Sequence, residues 1–307
     1  MRALRAARIL ASFLVLTLPL MPVQAALVRW SRRWSRHFPH WYHRQVCRLI
    51  GIRLTVEGEI DRTHPVLFVA NHTGWLDIPI LSAVAPVSFI AKKEVGGWPF
   101  VATLARLQQT VFVDRDRKSA VGDVADAIAA RLAAGDSLVL FAEGTSSDGN
   151  RVLPFKTSLF AAVKPSVRRP PGRQAEAGDR APNATSAGVM VQTLTVAIIK
   201  QHGLLLSRAD RPVTSWYGDM EMGSHAWQLL KAGPFDALVR VGPPVPLDGF
   251  ADRKDLARHA EREIRQELAR ILTGRPRGEP IEVSEPPADL RKLERPNRPA
   301  AAPSKWV

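Results

Sequence analysis

Short apolar runs separated by polar loops fill the middle of the chain, and such runs are typical of buried β-strands. They lie at residues 66–70, 87–91, 110–113, 138–141, 194–199 and 238–241. Helical patterns lie between several of them, and the clearest covers residues 119–134, which are rich in alanine and followed by Gly135. Alternating strands and helices predict an α/β fold with layered secondary structure. In such folds, polar loops after the strand C-termini are the favoured place for a functional site.

An uncharged run of twenty residues, 9–28, follows three arginines at the amino terminus. Twenty residues are enough to cross a bilayer as one helix. Pro19 and Pro22 lie inside the run, where proline bends or breaks a helix, so the run predicts either a kinked span or a re-entrant dip into one leaflet. A cleaved signal peptide with a cleavage site at residues 23–25 is the alternative.

Aromatic and basic residues are concentrated directly after this run. They are Trp30, Arg32, Arg33, Trp34, Arg36, Trp41, Tyr42 and Arg44. Tryptophan and tyrosine prefer the headgroup level of a bilayer, arginine binds anionic lipids, and dense arginine opposes export of the chain that follows. We therefore predict that residues 1–50 form a helical membrane anchor with an interfacial segment. The protein is expected at the inner (cytoplasmic) membrane, with its main domain on the cytoplasmic side.

Residues 51–273 are predicted to form the α/β domain, and a helix is its last element. Apolar side chains recur there at every fourth position, at Leu256, Ala260, Ile264, Leu268 and Leu272. Gly274 and Pro276 are expected to end this helix. A flexible insert is predicted at about residues 164–188 because of its prolines and scattered charge. The proline-rich residues 274–307 are predicted to be a disordered tail.

The composition is strongly basic, with 43 Lys and Arg against 29 Asp and Glu, a formal net charge of +14 and a pI near 10.8. A hydrophobic content of 46% supplies a buried core, and the single Cys47 excludes a disulfide framework and a cysteine-based zinc cluster. The charge raises the alternative of a non-catalytic nucleic-acid-binding protein. Two observations argue against this alternative. The arginines between Arg2 and Arg36 flank an apolar run, and the α/β region lacks basic–aromatic motifs.

The loop after residues 66–70 carries a histidine and an aspartate, His72 and Asp77, five positions apart. In a turn that leads into a helix, this spacing can bring the carboxylate to the imidazole. A neutral histidine accepts a proton near pH 7, and a carboxylate on its other nitrogen fixes the tautomer. The alternative is structural, with the histidine at the strand exit and the aspartate capping the next helix.

Two further loops follow predicted strands. Arg115 lies in the charged segment 114–118, where a guanidinium offers a fixed fork to a phosphate or carboxylate, although such segments are usually solvated turns. The segment 142–149 combines two glycines with three hydroxyl side chains, which suits a loop whose backbone amides approach a ligand closely. An ordinary polar turn is the alternative there.

The three loops, taken in order, resemble the glycerolipid acyltransferase family, which includes 1-acyl-glycerol-3-phosphate acyltransferases. The blocks that carry the resemblance are NHTGWLD at 71–77, FVDR at 112–115 and FAEGT at 141–145. Residues 89–94 and the helix beginning at Trp98-Pro99 also match the family, and the similarity runs from about residue 48 to residue 270. The resemblance implies a layered α/β glycerolipid acyltransferase-type domain.

In that family the histidine and aspartate of the first block are the catalytic pair. The resemblance therefore implies that His72 removes the proton from an acceptor hydroxyl and that Asp77 orients His72. The oxygen then attacks the thioester of acyl-carrier protein (acyl-ACP) or acyl-coenzyme A (acyl-CoA). The residues implied to bind the polar head of the acceptor are Arg115, Glu143, Gly144 and Thr145. No metal or organic cofactor is implied, and the expected partners are membrane lipids, the acyl donor and a lysolipid acceptor.

Ala142 and Ser146 depart from the pattern of phosphate-binding members, which usually have proline and often arginine at these positions. A missing arginine removes a bidentate phosphate contact. Residues 146–149 and 216–220 look like a bacterial subgroup that contains lyso-ornithine-lipid acyltransferases, whose acceptor has no phosphate. Because Arg115 is retained and phosphate acceptors are commoner in the family, we rank 1-acyl-sn-glycerol-3-phosphate (lysophosphatidic acid) first as acceptor, with phosphatidic acid as product. Lyso-ornithine lipid is the alternative.

Overall fold

A mixed β-sheet runs through the centre of the computed structural model, which describes residues 1–113, 120–163 and 188–277. The strands are β1 (Ile52–Glu57), β2 (Val66–Ala70), β3 (Ser88–Lys92), β4 (Val111–Val113), β5 (Leu138–Phe141), β6 (Met190–Gln201), β7 (Leu204–Leu205), β8 (Phe235–Val241) and β9 (Val245–Pro246). Their order across the sheet is β1-β8-β6-β2-β5-β3-β4, and the short β7 and β9 pair with β6. All neighbours from β6 to β4 are parallel, whereas β8 runs antiparallel to β6.

Both faces of the sheet are covered by helices, as the continuous apolar runs of its parallel strands require. The helices are α1 (Arg2–Trp30), α2 (Arg32–Ile50), α3 (Asp77–Val84), α4 (Pro99–Leu107), α5 (Ala120–Ala133), α6 (Met222–Ala232) and α7 (Arg253–Thr273). Side chains of α1, α2, α3 and α6 pack on one face of the sheet, and those of α5 and α7 pack on the other. In β2, Phe68 joins the first layer and Leu67 the second, so alternate side chains serve the two cores. The α/β fold is confirmed.

Most predicted elements agree with the structure. β2 and β5 have the predicted bounds, β3 begins one residue later, and β6 is longer than predicted at both ends. Helix α7 ends at Thr273, and Gly274 follows in the left-handed conformation with a φ of 69°. β1 was not predicted, because it is an edge strand in which Ile52 is the one buried residue. The predicted insert and tail fall almost entirely on residues 164–187 and 278–307, which lie outside the described residues.

Helix α1 is long and apolar enough to cross a membrane, yet both of its ends are bonded to the domain. The Arg5 guanidinium donates to the carbonyl of Leu230 in α6, and also to that of Ile50 in α2 at 2.9 Å. The Gln24 amide donates to the carbonyls of Ser35 and Leu107 at 2.9 Å each. The helix also continues through its two prolines without interruption. The segment is therefore one uninterrupted helix, and the choice between a span and a re-entrant dip stays a prediction.

Part of the basic segment contacts protein. Arg36 donates to the carbonyls of Ala134 and Gly135 at 2.7 and 3.2 Å, where α5 ends and a cation is favoured by the helix dipole. Arg32 forms an ion pair of 3.2 Å with the buried Asp136. The sequence pattern assigned both arginines to the lipid surface. The structure shows that they also dock α2 onto the turn after α5.

Candidate active site

The turn that carries His72 begins where β2 leaves the sheet. Asn71 continues the pairing of β2 with β6 through its side chain, because its amide nitrogen donates to the Val196 carbonyl at 2.9 Å and its amide oxygen accepts the Val196 N–H at 2.8 Å. Asn71 is buried, so this pair of hydrogen bonds is shielded from water. The side chain therefore fixes the starting point of residues 71–77, which we call the His72 turn.

Asp77, the first residue of α3, is the centre of this turn. Its Oδ2 atom accepts from His72 Nδ1 at 2.7 Å and from the backbone N–H groups of Thr73 and Gly74 at 2.6 and 3.0 Å. Its Oδ1 atom accepts from the Thr73 hydroxyl at 2.9 Å. The carboxylate is only 1% exposed, so these donors replace the water that it loses on burial.

The His72 ring is held in one orientation, and its Nε2 atom is left to accept a proton. Because a carboxylate only accepts hydrogen bonds, the contact with Asp77 places the imidazole proton on Nδ1 and leaves Nε2 as an acceptor. The ring stacks on Phe141 at the end of β5, with the centroids 4.1 Å apart and the planes inclined by 22°. The His72 side chain is 21% exposed. This geometry suits a general base that is reached from one side.

Glu143 lies beneath the turn and bonds to backbone. Its Oε1 accepts the N–H of His72 at 2.7 Å, and its Oε2 accepts the N–H of Leu153 at 2.6 Å. Burial raises the pKa of Glu143 to about 8, the two N–H donors act in the opposite direction, and the charge of Asp77 adds to the increase. On the other side of the turn, Ser147 donates its N–H to the His72 carbonyl at 2.8 Å. The loop after β5 therefore bonds to both the N–H and the carbonyl of His72.

The structure brings three of the sequence-predicted site residues together. His72, Asp77 and Glu143 share one hydrogen-bonded cluster. Gly144 follows Glu143 with a φ of 71°, in the left-handed region that glycine adopts readily, and Thr145 is exposed to solvent. Arg115 lies outside the described residues.

The sequence pattern did not predict that residues of the segment before α6 support the His72 turn. Trp216 donates its N–H to the Thr73 carbonyl at 2.8 Å. A Cβ atom added to Gly74 would lie 2.8 Å from that same nitrogen, so only glycine fits there. The Trp75 indole donates to Nδ1 of His225 on α6 at 3.1 Å. The one available signal was Trp216 itself, within the segment 216–220 that marked the bacterial subgroup.

A cavity of about 630 Å³ opens between α1, α2, α4 and α6 and reaches the His72 turn. Its lining is almost wholly apolar, and its volume is that of a typical ligand pocket. Trp75, Ile78 and Phe89 line the end nearest the turn. Phe89 stacks on Phe141 at 6.0 Å, and Phe141 stacks on His72, so the imidazole lies one ring beyond the cavity wall.

Comparison with known proteins agrees with this geometry. The profile of a family described as Acyltransferase matches residues 52–195. The chain is also 44% identical over 267 residues, 87% of its length and 95% of the relative's, to lyso-ornithine lipid O-acyltransferase of Brucella abortus. The chain belongs to the acyltransferase family. As an enzyme of this family it acts on lipids, and the interpretation as a non-catalytic nucleic-acid-binding protein is not supported.

Other acyltransferases give a consistent picture. Lyso-ornithine lipid O-acyltransferase of Rhizobium meliloti is 39% identical over 90% of this chain and 91% of the relative. The 1-acyl-sn-glycerol-3-phosphate acyltransferase of Neisseria meningitidis is 40% identical, but over 39% of this chain and 48% of the relative. The crystal structure of the 1-acyl-sn-glycerophosphate acyltransferase of Thermotoga maritima has the same fold, with a TM-score of 0.59 at 18% identity over 88% of this chain and 98% of that one. These relatives and the apolar N-terminal helix indicate membrane association.

Proposed function

We propose that this acyltransferase moves a fatty acyl chain from a thioester donor to the hydroxyl of lyso-ornithine lipid, with His72 as general base. The observation that carries the proposal is the His72 Nδ1–Asp77 Oδ2 hydrogen bond of 2.7 Å beside an apolar cavity. An alcohol is a weak nucleophile until a positioned base removes its proton. The bond to Asp77 leaves Nε2 of His72 as the nitrogen that takes this proton.

The reaction follows from these positions in two steps. As the acceptor hydroxyl gives its proton to Nε2, its oxygen forms a bond to the thioester carbonyl carbon and a tetrahedral intermediate results. The intermediate then collapses, the carbon–sulfur bond breaks, and the imidazolium of His72 returns the proton to the leaving thiolate. Asp77 stabilises the imidazolium between the two steps. Holding hydroxyl and thioester together supplies a further large share of the acceleration.

Glu143 serves this mechanism as a positioning residue. The sequence resemblance implied that it binds the polar head of the acceptor, but its carboxylate is 1% exposed and both oxygens accept backbone N–H groups. A buried carboxylate in this position holds the backbone of His72 at the correct distance from β5. Gly144 and Thr145 follow it at the end of the loop, and Thr145 is the exposed one. Contact with the acceptor head is therefore assigned to Thr145 and its neighbours.

The apolar cavity is assigned to a fatty acyl chain. Its walls are almost wholly apolar, and its wall at Phe89 stacks on Phe141, the ring on which His72 lies. Burial of each methylene contributes about 0.8 kcal/mol, so a long chain gains much of its affinity here. Acyl-ACP and acyl-CoA present the same thioester, and both remain within the proposal as donors.

The choice of acceptor rests on the relatives and on Ser146. Relatives named lyso-ornithine lipid O-acyltransferase match nearly the whole chain, whereas the one named 1-acyl-sn-glycerol-3-phosphate acyltransferase in Neisseria meningitidis matches 39% of it. Ser146 stands where phosphate-binding members often carry arginine, and ornithine lipid has no phosphate to bind. This reverses the order of acceptors that the sequence resemblance favoured. Lysophosphatidic acid is the second candidate, supported by Arg115.

Helix α1 is proposed to lie in one leaflet along the domain. Arg5 bonds to Leu230 and Gln24 to Leu107 of the domain, about 28 Å apart along the helix, so the helix keeps these bonds only if it lies flat against the protein. Its opposite face is apolar and exposed, with Val15 at 75% and Leu18 at 54%. Because Gln24 is part of the interface, the segment belongs to the folded protein, which argues against cleavage at residues 23–25. The arginines around it favour the cytoplasmic side of the inner membrane.

Offering both acceptors side by side to the purified full-length enzyme in detergent tests the proposal. Each reaction contains one acyl donor, acyl-ACP or acyl-CoA, with lyso-ornithine lipid or lysophosphatidic acid, and the acylated product is quantified by mass spectrometry. We expect a higher kcat/KM for lyso-ornithine lipid with whichever donor is accepted. A preference for lysophosphatidic acid would reject the acceptor and leave the His72 mechanism to be judged separately, and failure of both acceptors with both donors would reject the proposed function.

A further inference from the structure

Strand β7, which forms a hairpin with the end of β6, consists of two leucines in water-exposed positions. Leu204 and Leu205 are 74% and 77% exposed, whereas the neighbouring Leu206 is buried. The turn is tight, since His202 and Gly203 both have positive φ angles, of 52° and 83°. The hairpin therefore holds two exposed leucines directly after its turn, and their hydration is unfavourable unless another surface covers them.

This hairpin lies beside the first turns of α1. The Gln201 side chain donates to the carbonyl of Ala232, the last residue of α6, at 2.8 Å. Arg5 of α1 donates to the carbonyl of Leu230 in the same turn of α6. Leu4, next to Arg5, is 65% exposed and belongs to the outward apolar face of α1. The two exposed leucines thus lie at the end of the molecule where that face begins.

The charges around the hairpin suit an anionic surface. Lys200 stands opposite Leu205 in the antiparallel pair, and Arg208 follows three residues later in an exposed position. Two carboxylates are near: Asp236, opposite Lys200 in β8, is paired with Arg53 at 2.5 Å, and Asp210 accepts from the Ser207 hydroxyl of its own loop at 2.6 Å. Exposed apolar side chains flanked by cations suit the boundary between the acyl chains and the anionic headgroups of a bilayer.

We propose that the β6–β7 hairpin is a second membrane contact, with Leu204 and Leu205 inserted among the acyl chains of an anionic bilayer and Lys200 and Arg208 at the headgroups. This inference rests on the membrane association proposed for α1 and adds a point that α1 does not contain. One helix lying in a leaflet leaves the domain free to roll about the helix axis. A second contact beside its amino terminus removes that freedom and keeps one face of the domain toward the lipid.

The protein offers a direct way to measure insertion, because Cys47 is its one cysteine. Cys47 is buried, and burial raises the pKa of its thiol to about 12, so it does not compete for a thiol-reactive dye. Single cysteines are placed by Leu205→Cys at the hairpin, Val15→Cys on the outward face of α1 and Val56→Cys on β1. Val56 is 42% exposed. It lies four residues farther along β1 than Ile52, which is level with the hairpin because Ile52 and Gln201 both pair with Phe235.

Each variant, labelled with an environment-sensitive dye, is reconstituted with vesicles of phosphatidylglycerol and phosphatidylethanolamine that carry a spin-label quencher on the acyl chain. We expect the dyes at positions 205 and 15 to be quenched and blue-shifted, and the dye at position 56 to report water. A water-like signal at position 205 would overturn the proposal, whatever position 15 shows. A water-like signal at position 15 alone would instead count against the membrane role of α1. Because the readout needs no catalysis, it is independent of acyl transfer.

Discussion

The Glu143 carboxylate accepts the backbone N–H of His72 at 2.7 Å, although the two residues are 71 positions apart in the sequence. The same carboxylate holds the N–H of Leu153 at 2.6 Å, so it joins the His72 turn to the loop after β5. The side chain thus supports the proposed base from behind without facing the cavity. Its proton affinity links this support to pH, because burial raises the pKa of Glu143 to about 8.

Replacing Glu143 by glutamine is expected to lower kcat without raising the KM for the acceptor. Glutamine keeps the shape of the Glu143 side chain but has one hydrogen-bond-accepting oxygen in place of two. In this respect it resembles the protonated form of Glu143. The carboxylate form of the wild type grows as pH rises through about 8, so the two proteins diverge above this pH. We expect a kcat about tenfold lower than wild type at pH 9, from one charge-assisted hydrogen bond, and a smaller difference at pH 7.

Glu261→Gln is the matched control for this experiment. Glu261 also accepts a backbone N–H in the same region, that of Phe155 at 3.0 Å, but it does not contact the His72 turn. We expect its kcat to follow the wild-type pH profile. An equal loss of kcat in both variants, or a raised acceptor KM in Glu143→Gln alone, would contradict the positioning role.

Asp77→Asn is expected to lower kcat by about 10³–10⁴-fold. The amide no longer forces the imidazole proton onto Nδ1, so Nε2 loses its role as acceptor. The charge that stabilises the imidazolium is lost as well. The kinetics are to be compared with Thr73→Val, which removes the 2.9 Å hydroxyl contact to Oδ1 and keeps the charge. Thr73→Val should keep most of its activity, and similar losses in the two variants would speak against a special role of the charge.

Gly74→Ala is expected to destabilise the fold by about 1–3 kcal/mol and to lower activity. The new methyl group would lie 2.8 Å from the Trp216 nitrogen, which must then move away from the Thr73 carbonyl. Gly97→Ala is the control, because a Cβ there meets no atom within 4 Å. Thermal unfolding in detergent measures the difference, and equal midpoints for the two variants would show that the Trp216 contact does not support the turn.

The sequence predicted the parts of the site that residue spacing encodes and missed those that depend on distant backbone. His72 and Asp77 are five positions apart in one turn, so their meeting could be expected from local geometry. The bond from Glu143 to the His72 backbone could not, because an N–H group leaves no signature in sequence. Arg36 was assigned to lipid for a similar reason, since its partners are the carbonyls at the end of α5.

Filling the apolar cavity is expected to shift the preference of the enzyme toward shorter acyl donors. Ala226 on α6 lines the cavity, and Ala226→Phe places a ring in the space assigned to the chain. The KM for a long-chain donor should rise while that for a short-chain donor changes little. Ala127→Phe on the exposed side of α5 is the control for adding a phenyl group to a helix. An unchanged chain-length profile for Ala226→Phe would mean that the chain binds elsewhere.

The most direct test of the mechanism is acyl transfer by His72→Ala, measured with lyso-ornithine lipid and the donor preferred by the wild type. Alanine removes the base but leaves the hydrogen bonds of the His72 backbone to Glu143 and Ser147 available, so the fold should persist. We predict a circular dichroism spectrum and unfolding midpoint close to those of the wild type, with kcat lower by about 10⁴-fold. Acyl transfer at near wild-type rates by this folded variant would contradict the assignment of His72 as the base.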